Sequence, residues 1–229
     1  MRLGVLFSGG KDSTFAMYKA MKENEIACLI SVISENEDSY MFHTPNIHLC
    51  EIQAECIGLP LIKKITKGEK EKELKDLKDI ISEAKKKFKI QGIVTGALAS
   101  KYQAERIQKI CDELNLKCVN PLWQMNQEDE LREIIKNKFK FVIIKISAYG
   151  FDKSWLGRVI TNKDIDRLAE INKKIGINIA FEGGEAETLV IDGPIFKKKI
   201  KIIKADRIME NDFTGVYKIE KTKLVNKKS

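Results

Sequence analysis

The chain has 229 residues, 43% of them hydrophobic and 32% charged, and a formal net charge of +8. That length can bury a full core in one large domain or two small ones; no run of about 18 apolar residues offers a membrane span, and the start at Met1-Arg2-Leu3 leaves no room for a signal peptide, so a soluble, cytoplasmic protein is expected. The basic balance is permissive rather than diagnostic: only six of the 41 basic residues are arginine, the side chain preferred for phosphate forks and base edges, and a nucleic-acid partner is not expected.

In chain order, the apolar run Leu3–Phe7 predicts a short buried strand and Thr14–Met21 a helix. Between them stands Ser8-Gly9-Gly10-Lys11-Asp12-Ser13. A strand, a glycine turn and a helix start bring backbone N–H groups together with the positive end of a helix dipole, which makes an anion site. Gly9 and Gly10 permit close approach, Lys11 adds a point charge, and Ser8 and Ser13 add hydroxyls. The run is not a Walker A loop, in which a hydroxyl residue follows the lysine directly. Here Asp12 follows it. An acid inside a phosphate nest repels its ligand unless a cation stands between them, so Asp12 points to Mg²⁺.

Further strands are predicted at Ile26–Ile33, Pro60–Ile65 and Gly92–Gly96. The clearest helix carries Leu74, Leu77, Ile81, Ala84 and Phe88 at alternating steps of three and four, with its lysines on the solvated side. A second covers Ala99 to Asn115. Alternating strands and helices predict a parallel α/β sheet. Such sheets bind ligands beyond the carboxyl ends of their strands, where Gly96 lets a nucleotide approach and Gln103 and Arg106 open the following helix beside Ser100 and Tyr102.

After Pro121-Leu122-Trp123 the character shifts. A helix is predicted at Gln127–Asn137, a strand at Phe139–Ile146, a helix at Asp164–Ile175, then strand-like runs at Thr188–Ile191, Ile200–Ala205 and Gly215–Glu220. The expected organisation is a nucleotide-binding domain over 1–123 and a smaller α/β substrate domain over 124–225, with a disordered tail at Asn226–Ser229. Glu182, Glu185 and Glu187 surround two glycines; acids so close are costly to bury unless they meet cations, and the other possibility is a solvated acidic turn. Trp155 and Tyr149 are candidates for an aromatic wall around a cation, or for core packing. His43 is placed in a loop after the second strand. The five cysteines (Cys28, Cys50, Cys56, Cys111, Cys118) are odd in number without C-x-x-C spacing, which points to neither a disulfide framework nor a zinc site.

Residues 8–13 resemble the PP-loop of the ATP pyrophosphatase superfamily, whose members split ATP into AMP and pyrophosphate while adenylating a substrate. Tyr40-Met41-Phe42-His43-Thr44-Pro45-Asn46, Val94-Thr95-Gly96-Ala97, Tyr102-Gln103 with Arg106, Pro121-Leu122-Trp123, Lys153–Arg158 and Glu182-Gly183-Gly184-Glu185-Ala186-Glu187-Thr188 resemble one branch, the diphthine–ammonia ligase family. The resemblance implies an adenine nucleotide alpha hydrolase-like fold, ATP and Mg²⁺ as cofactors, and ATP contacts from Ser8, Gly9, Gly10, Lys11, Asp12, Ser13, Gly96, Gln103 and Arg106. It also implies Asp12 as metal ligand and Lys11, Asp12, Glu182 and Glu185 as catalytic residues. The partners it implies are elongation factor 2, as the diphthine-bearing substrate, and ammonium. Two other readings stand beside it: a PP-loop enzyme of tRNA modification, which the basic charge suits, and a nucleotide-binding regulator without chemistry.

Overall fold

The structure, a computed structural model, describes residues 1–34, 49–66 and 72–227; the Tyr40–Asn46 run, with His43, lies outside them. The chain divides into two compact units, Met1–Trp123 and Gln124–Ser229.

The first unit alternates β1 (Arg2–Leu6), α1 (Lys11–Ala20), β2 (Glu25–Ser34), α2 (Leu49–Ile57), β3 (Leu61–Thr66), α3 (Lys72–Phe88), β4 (Gly92–Val94), α4 (Lys101–Glu113) and β5 (Lys117–Val119). All strand pairs are parallel, in the order β3-β2-β1-β4-β5. The central strands β1 and β4 are apolar on both faces, as strands covered by helices on each side must be. Leu77, Ile80, Ile81 and Ala84 of α3 pack on Cys28, Ile30 and Val32 of β2, with Ile62 of β3 in the same cluster. The order fixes where a ligand can enter. From β1 the chain first winds outward through β2 and β3, then returns to the other side of β1 with β4, so the direction switches between β1 and β4. The crevice of an open α/β sheet lies at such a point, outside the carboxyl ends of the strands.

Two local expectations are corrected. α1 begins at Lys11 rather than Thr14, so Lys11, Asp12 and Ser13 form its first turn. β4 ends at Val94 rather than Gly96, because the Thr95 hydroxyl turns to Asn120 Oδ1 at 2.6 Å and accepts the N–H of Ala97 at 3.2 Å.

The second unit holds α5 (Gln127–Lys136), β6 (Lys140–Ser147), a 3₁₀ turn at Lys153–Trp155, α6 (Asn162–Ile175), β7 (Ala186–Asp192), β8 (Lys198–Met209) and β9 (Thr214–Asn226). Its sheet is antiparallel, in the order β7-β6-β9-β8. β8 pairs with β9 from Lys198 to Met209, whereas β6 meets β9 only at Thr214–Val216. A long two-stranded ribbon therefore extends from the sheet. The tail is tied down further than expected: Asn226 ends β9, and Lys227 Nζ lies 2.8 Å from Asp192 Oδ1.

Asp164, in the first turn of α6, accepts from the Thr161 N–H at 2.9 Å and hydroxyl at 2.6 Å and from Arg158 Nη1 at 2.9 Å. Burial raises its carboxyl, but the Thr161 and Arg158 hydrogen bonds outweigh that and hold it below the usual carboxylate range. A depressed carboxylate contributes stability that is present above its unfolded pKa, about 3.9 for Asp, and is lost as pH falls through the folded value. Thermal unfolding followed from pH 6 to pH 3 is expected to lose less stability in Asp164→Asn than in the parent, with the variant less stable at pH 6. Parallel acid limbs would show that Asp164 carries no such linkage.

Candidate functional site

The turn after β1 is pinned before it reaches the helix. The Phe7 N–H donates to Ile30 O at 2.8 Å, and the Ser31 hydroxyl donates to Phe7 O at 2.5 Å. Gly9 then adopts φ +77°, and a Cβ there would fall 2.1 Å from Gln53 Oε1. Gln53, wholly buried on α2, donates through Nε2 to Gly9 O at 2.8 Å. Gly10 is the N-cap of α1 and has no side chain to cap it. The first N–H groups of a helix find no partner within it, so this end keeps the donors that suit an anion. The Ser8 and Ser13 hydroxyls lie 3.2 Å apart, and the Ser8 N–H points at Ser13 Oγ at 3.3 Å.

Lys11 is 1% exposed and pairs with the carboxylate of Asp12, which is 31% exposed. Asp12 thus remains open to a metal, while truncating Lys11 would empty a buried position and cost stability as well as charge. Thr95 and Gly96 lie across the switch point from this turn. A Cβ on Gly96 would stand 2.7 Å from the Ser13 nitrogen and 2.8 Å from the Asp12 carbonyl carbon. What approaches Gly96 is therefore the first turn of α1. Arg106, one turn into α4, lays its guanidinium 3.3 Å from the Tyr102 ring centroid and donates to Tyr102 O at 3.3 Å. Tyr102 is its platform. Gln103 lies in the first turn of the same helix.

In the second unit, Phe181 (φ +68°) and Gly184 (φ +85°) turn the chain sharply between α6 and β7. Glu185 folds back under this turn. Its Oε1 accepts the Asn178 N–H at 2.8 Å and its Oε2 the Gly183 N–H at 2.9 Å, so both carboxylate oxygens are spent on loop backbone. The Glu182 N–H is held by Asn178 Oδ1 at 3.2 Å, and Glu187 lies 3.4 Å from Lys145 on the neighbouring strand. The acids are not one cluster doing one job. Trp155 is 0% exposed, edge-on to Phe151 at 5.3 Å, with the guanidiniums of Arg158 and Arg167 at 5.1 and 4.7 Å. Tyr149 is 72% exposed. Of the two alternatives, Trp155 takes core packing: its indole is enclosed and offers no wall beside Tyr149.

The family model described as Diphthamide synthase N-terminal domain matches residues 1–118, and that described as Diphthamide synthase C-terminal domain matches residues 126–225. This chain belongs to the diphthamide synthase family. It is 36% identical over 231 residues to a diphthine--ammonia ligase of Mus musculus, covering 92% of this chain and 86% of that one, and 35% identical to its Homo sapiens counterpart with the same coverage. A solved structure described as a predicted subunit of tRNA methyltransferase from Methanocaldococcus jannaschii aligns with a TM-score of 0.43 and 18% identity, covering 85% of this chain and 98% of that one. That likeness is too loose to bear on function.

Within this chain the structure brings Ser8, Gly9, Gly10, Lys11, Asp12, Ser13 and Gly96 together at the switch point, and sets Glu182 and Glu185 in one loop of the second unit. Sequence reasoning missed Gln53, the clamp on Gly9. Its signal was a polar residue at a core spacing, between Leu49 and Cys50 on one side and Ala54 and Ile57 on the other. All five thiols are free, and burial pushes Cys28 and Cys50 up to about 12.

Gly96→Ala is expected to displace the first turn of α1 instead of merely crowding a ligand. Nucleotide affinity should fall at least about tenfold, with a loss of roughly 1–3 kcal/mol of stability typical of overpacking. Calorimetric titration beside chemical denaturation checks both; a variant with lowered affinity but parental stability would return Gly96 to a direct contact with ligand.

Proposed function

We propose that the chain is a diphthine–ammonia ligase: it uses ATP to amidate the carboxylate of diphthine on elongation factor 2 with ammonium, giving diphthamide, AMP and pyrophosphate, and does so in the cytoplasm. The observation that carries the reading is the match of both halves of the chain to one family. The uncapped helix start at the switch point of the first unit supports it independently.

A carboxylate does not accept ammonia directly, because its leaving group would be oxide. Attack by a carboxylate oxygen on the α-phosphorus of ATP forms an acyl–adenylate and breaks the bond to pyrophosphate; ammonia then attacks the acyl carbon, and AMP leaves with the electron pair of the C–O bond. Ser8 to Ser13 hold the phosphates, through the first N–H groups of α1, the two hydroxyls and Lys11. The residues fit Mg²⁺ as well: the Asp12 carboxylate stands in the first turn of α1 and is partly open to solvent, and Mg²⁺ at such sites takes one or two carboxylates beside substrate phosphates. Asp12 would hold the ion, which would supply charge neutralisation for the phosphates. Arg106, stacked on Tyr102, and Gln103 serve the nucleotide from α4.

Between the two glutamates the roles divide. Glu185 shapes the 178–184 loop through its two backbone hydrogen bonds, and Glu182, on the same loop, attracts ammonium and takes the proton that frees its lone pair.

Turnover is expected to yield AMP and pyrophosphate in equal amounts; stoichiometric ADP would remove the adenylation mechanism. Glu182→Gln should bind ATP like the parent while forming diphthamide about ten- to a hundredfold more slowly, as befits one lost charge-assisted contact worth roughly 1.5–3 kcal/mol. More ammonium should partly restore the rate. Parental rates across an ammonium series would take Glu182 out of the chemistry.

A further inference from the structure

The second unit contains a cavity of about 410 Å³ formed where three segments meet, within the roughly 300–1,000 Å³ usual for small-ligand sites. Its base is Gly150, φ +98°, whose missing side chain lets the backbone lie on α6; a Cβ there would come 2.7 Å from Ile175 Cδ1 and 2.8 Å from Ile171 Cγ2. Tyr149 on one side and Phe213 on the other form an aromatic corner, ring centroids 6.3 Å apart and planes at 75°. Both rings are open to water, Tyr149 at 72% and Phe213 at 40%. Phe213 is held there by the turn between β8 and β9, in which Asn211 Oδ1 accepts the N–H groups of Phe213 and Thr214 at 3.0 and 2.8 Å. The same turn brings Asp212 to the rim, and α6 brings Lys174.

Two aromatic faces at an angle, with a carboxylate beside them, attract a cation that water holds weakly. An ordinary ammonium satisfies its N–H groups better in solvent; a quaternary ammonium has none. Lys174 opposes a simple cation but suits a ligand that also carries a carboxylate. We infer that the Tyr149–Phe213 corner, with Asp212 and Lys174, binds a quaternary ammonium borne next to a carboxylate, a betaine. This rests on the proposed function, since diphthine carries both groups. The site is also one ring removed from the loop of Glu182: Phe151 lines the cavity, and its ring lies 6.0 Å from that of Phe181. The two rings thus hold the quaternary ammonium, which does not react, and Lys174 stands beside the carboxylate that does, in the same unit as the carboxylate assigned to ammonium.

The test titrates the full chain with glycine betaine, with choline, and with 3,3-dimethylbutyrate, the neutral-headed isostere of betaine. Betaine should bind best, choline less well and the isostere at least about tenfold more weakly. Tyr149→Ala and Phe213→Leu should each weaken betaine by about two- to thirtyfold, the range of a cation–π contact. Tyr149 is exposed enough for its truncation to leave the fold alone, and leucine keeps the apolar bulk at 213. With the diphthine-bearing protein as substrate, the same variants should raise KM for that protein and not KM for ATP. Equal binding of betaine and its isostere, or variants that match the parent in titration, would overturn the inference. If the parent makes diphthamide and the variants keep its KM, the site falls while the ligase reading stands. If betaine binding needs both rings but no diphthamide forms, the ligase reading falls and the ammonium site remains.

Discussion

At the carboxyl end of β4 the backbone of Gly96 runs so close to the first turn of α1 that even a methyl group would fall 2.7 Å from the Ser13 nitrogen. That contact is possible only because β4 neighbours β1 in the sheet, and it sets how far the helix is drawn toward the switch point. The turn ahead of it is then constrained from both ends. Phe7 is tied to β2 by Ile30 and Ser31, and Gly9 is pressed against Gln53 of α2. The donors at the helix start are held in place by packing before any ligand arrives, which is the condition under which electrostatic stabilisation costs no reorganisation.

The second unit uses charge differently. Glu185 answers backbone N–H groups, Asp164 anchors the start of α6, and Asp152, pulled below the usual range first by its hydrogen bond from Ser154, caps the short turn that carries Trp155. Arginines close the same region: Arg158 reaches Asp164, Arg167 reaches Asp152, and both flank the indole. Charged residues thereby build a loop-rich surface that a small apolar core could not organise alone.

Much of this architecture was legible because periodicity survives in the primary structure. The apolar runs near residues 3, 26, 60 and 92 are strands, and the three-and-four spacing from Leu74 to Phe88 is a buried helix face. The start of α1 was not legible, since Lys11-Asp12-Ser13 has no apolar periodicity and its packing partner, Gly96, lies far away in the sequence. β8 and β9 read as short runs but extend over 12 and 13 residues, because alternating lysines dilute the apolar count on the solvent side. Glu185 looked like an equal partner of Glu182. Its use by the backbone depends on the positive φ of Phe181 and Gly184, which no side-chain pattern announces.

The ribbon of β8 and β9 leaves β8 as the outer strand of its sheet, and a bare outer strand offers its peptide groups to any other chain in an extended conformation. Lys199 and Lys201 lie along it. Should two copies of the molecule try to join edge to edge, these ammonium groups would be brought face to face with their own kind, which is unfavourable at any neutral pH. The lysine excess of the chain, uninformative as a sign of what it binds, thus acts as protection against self-assembly. That protection weakens as salt screens the charges.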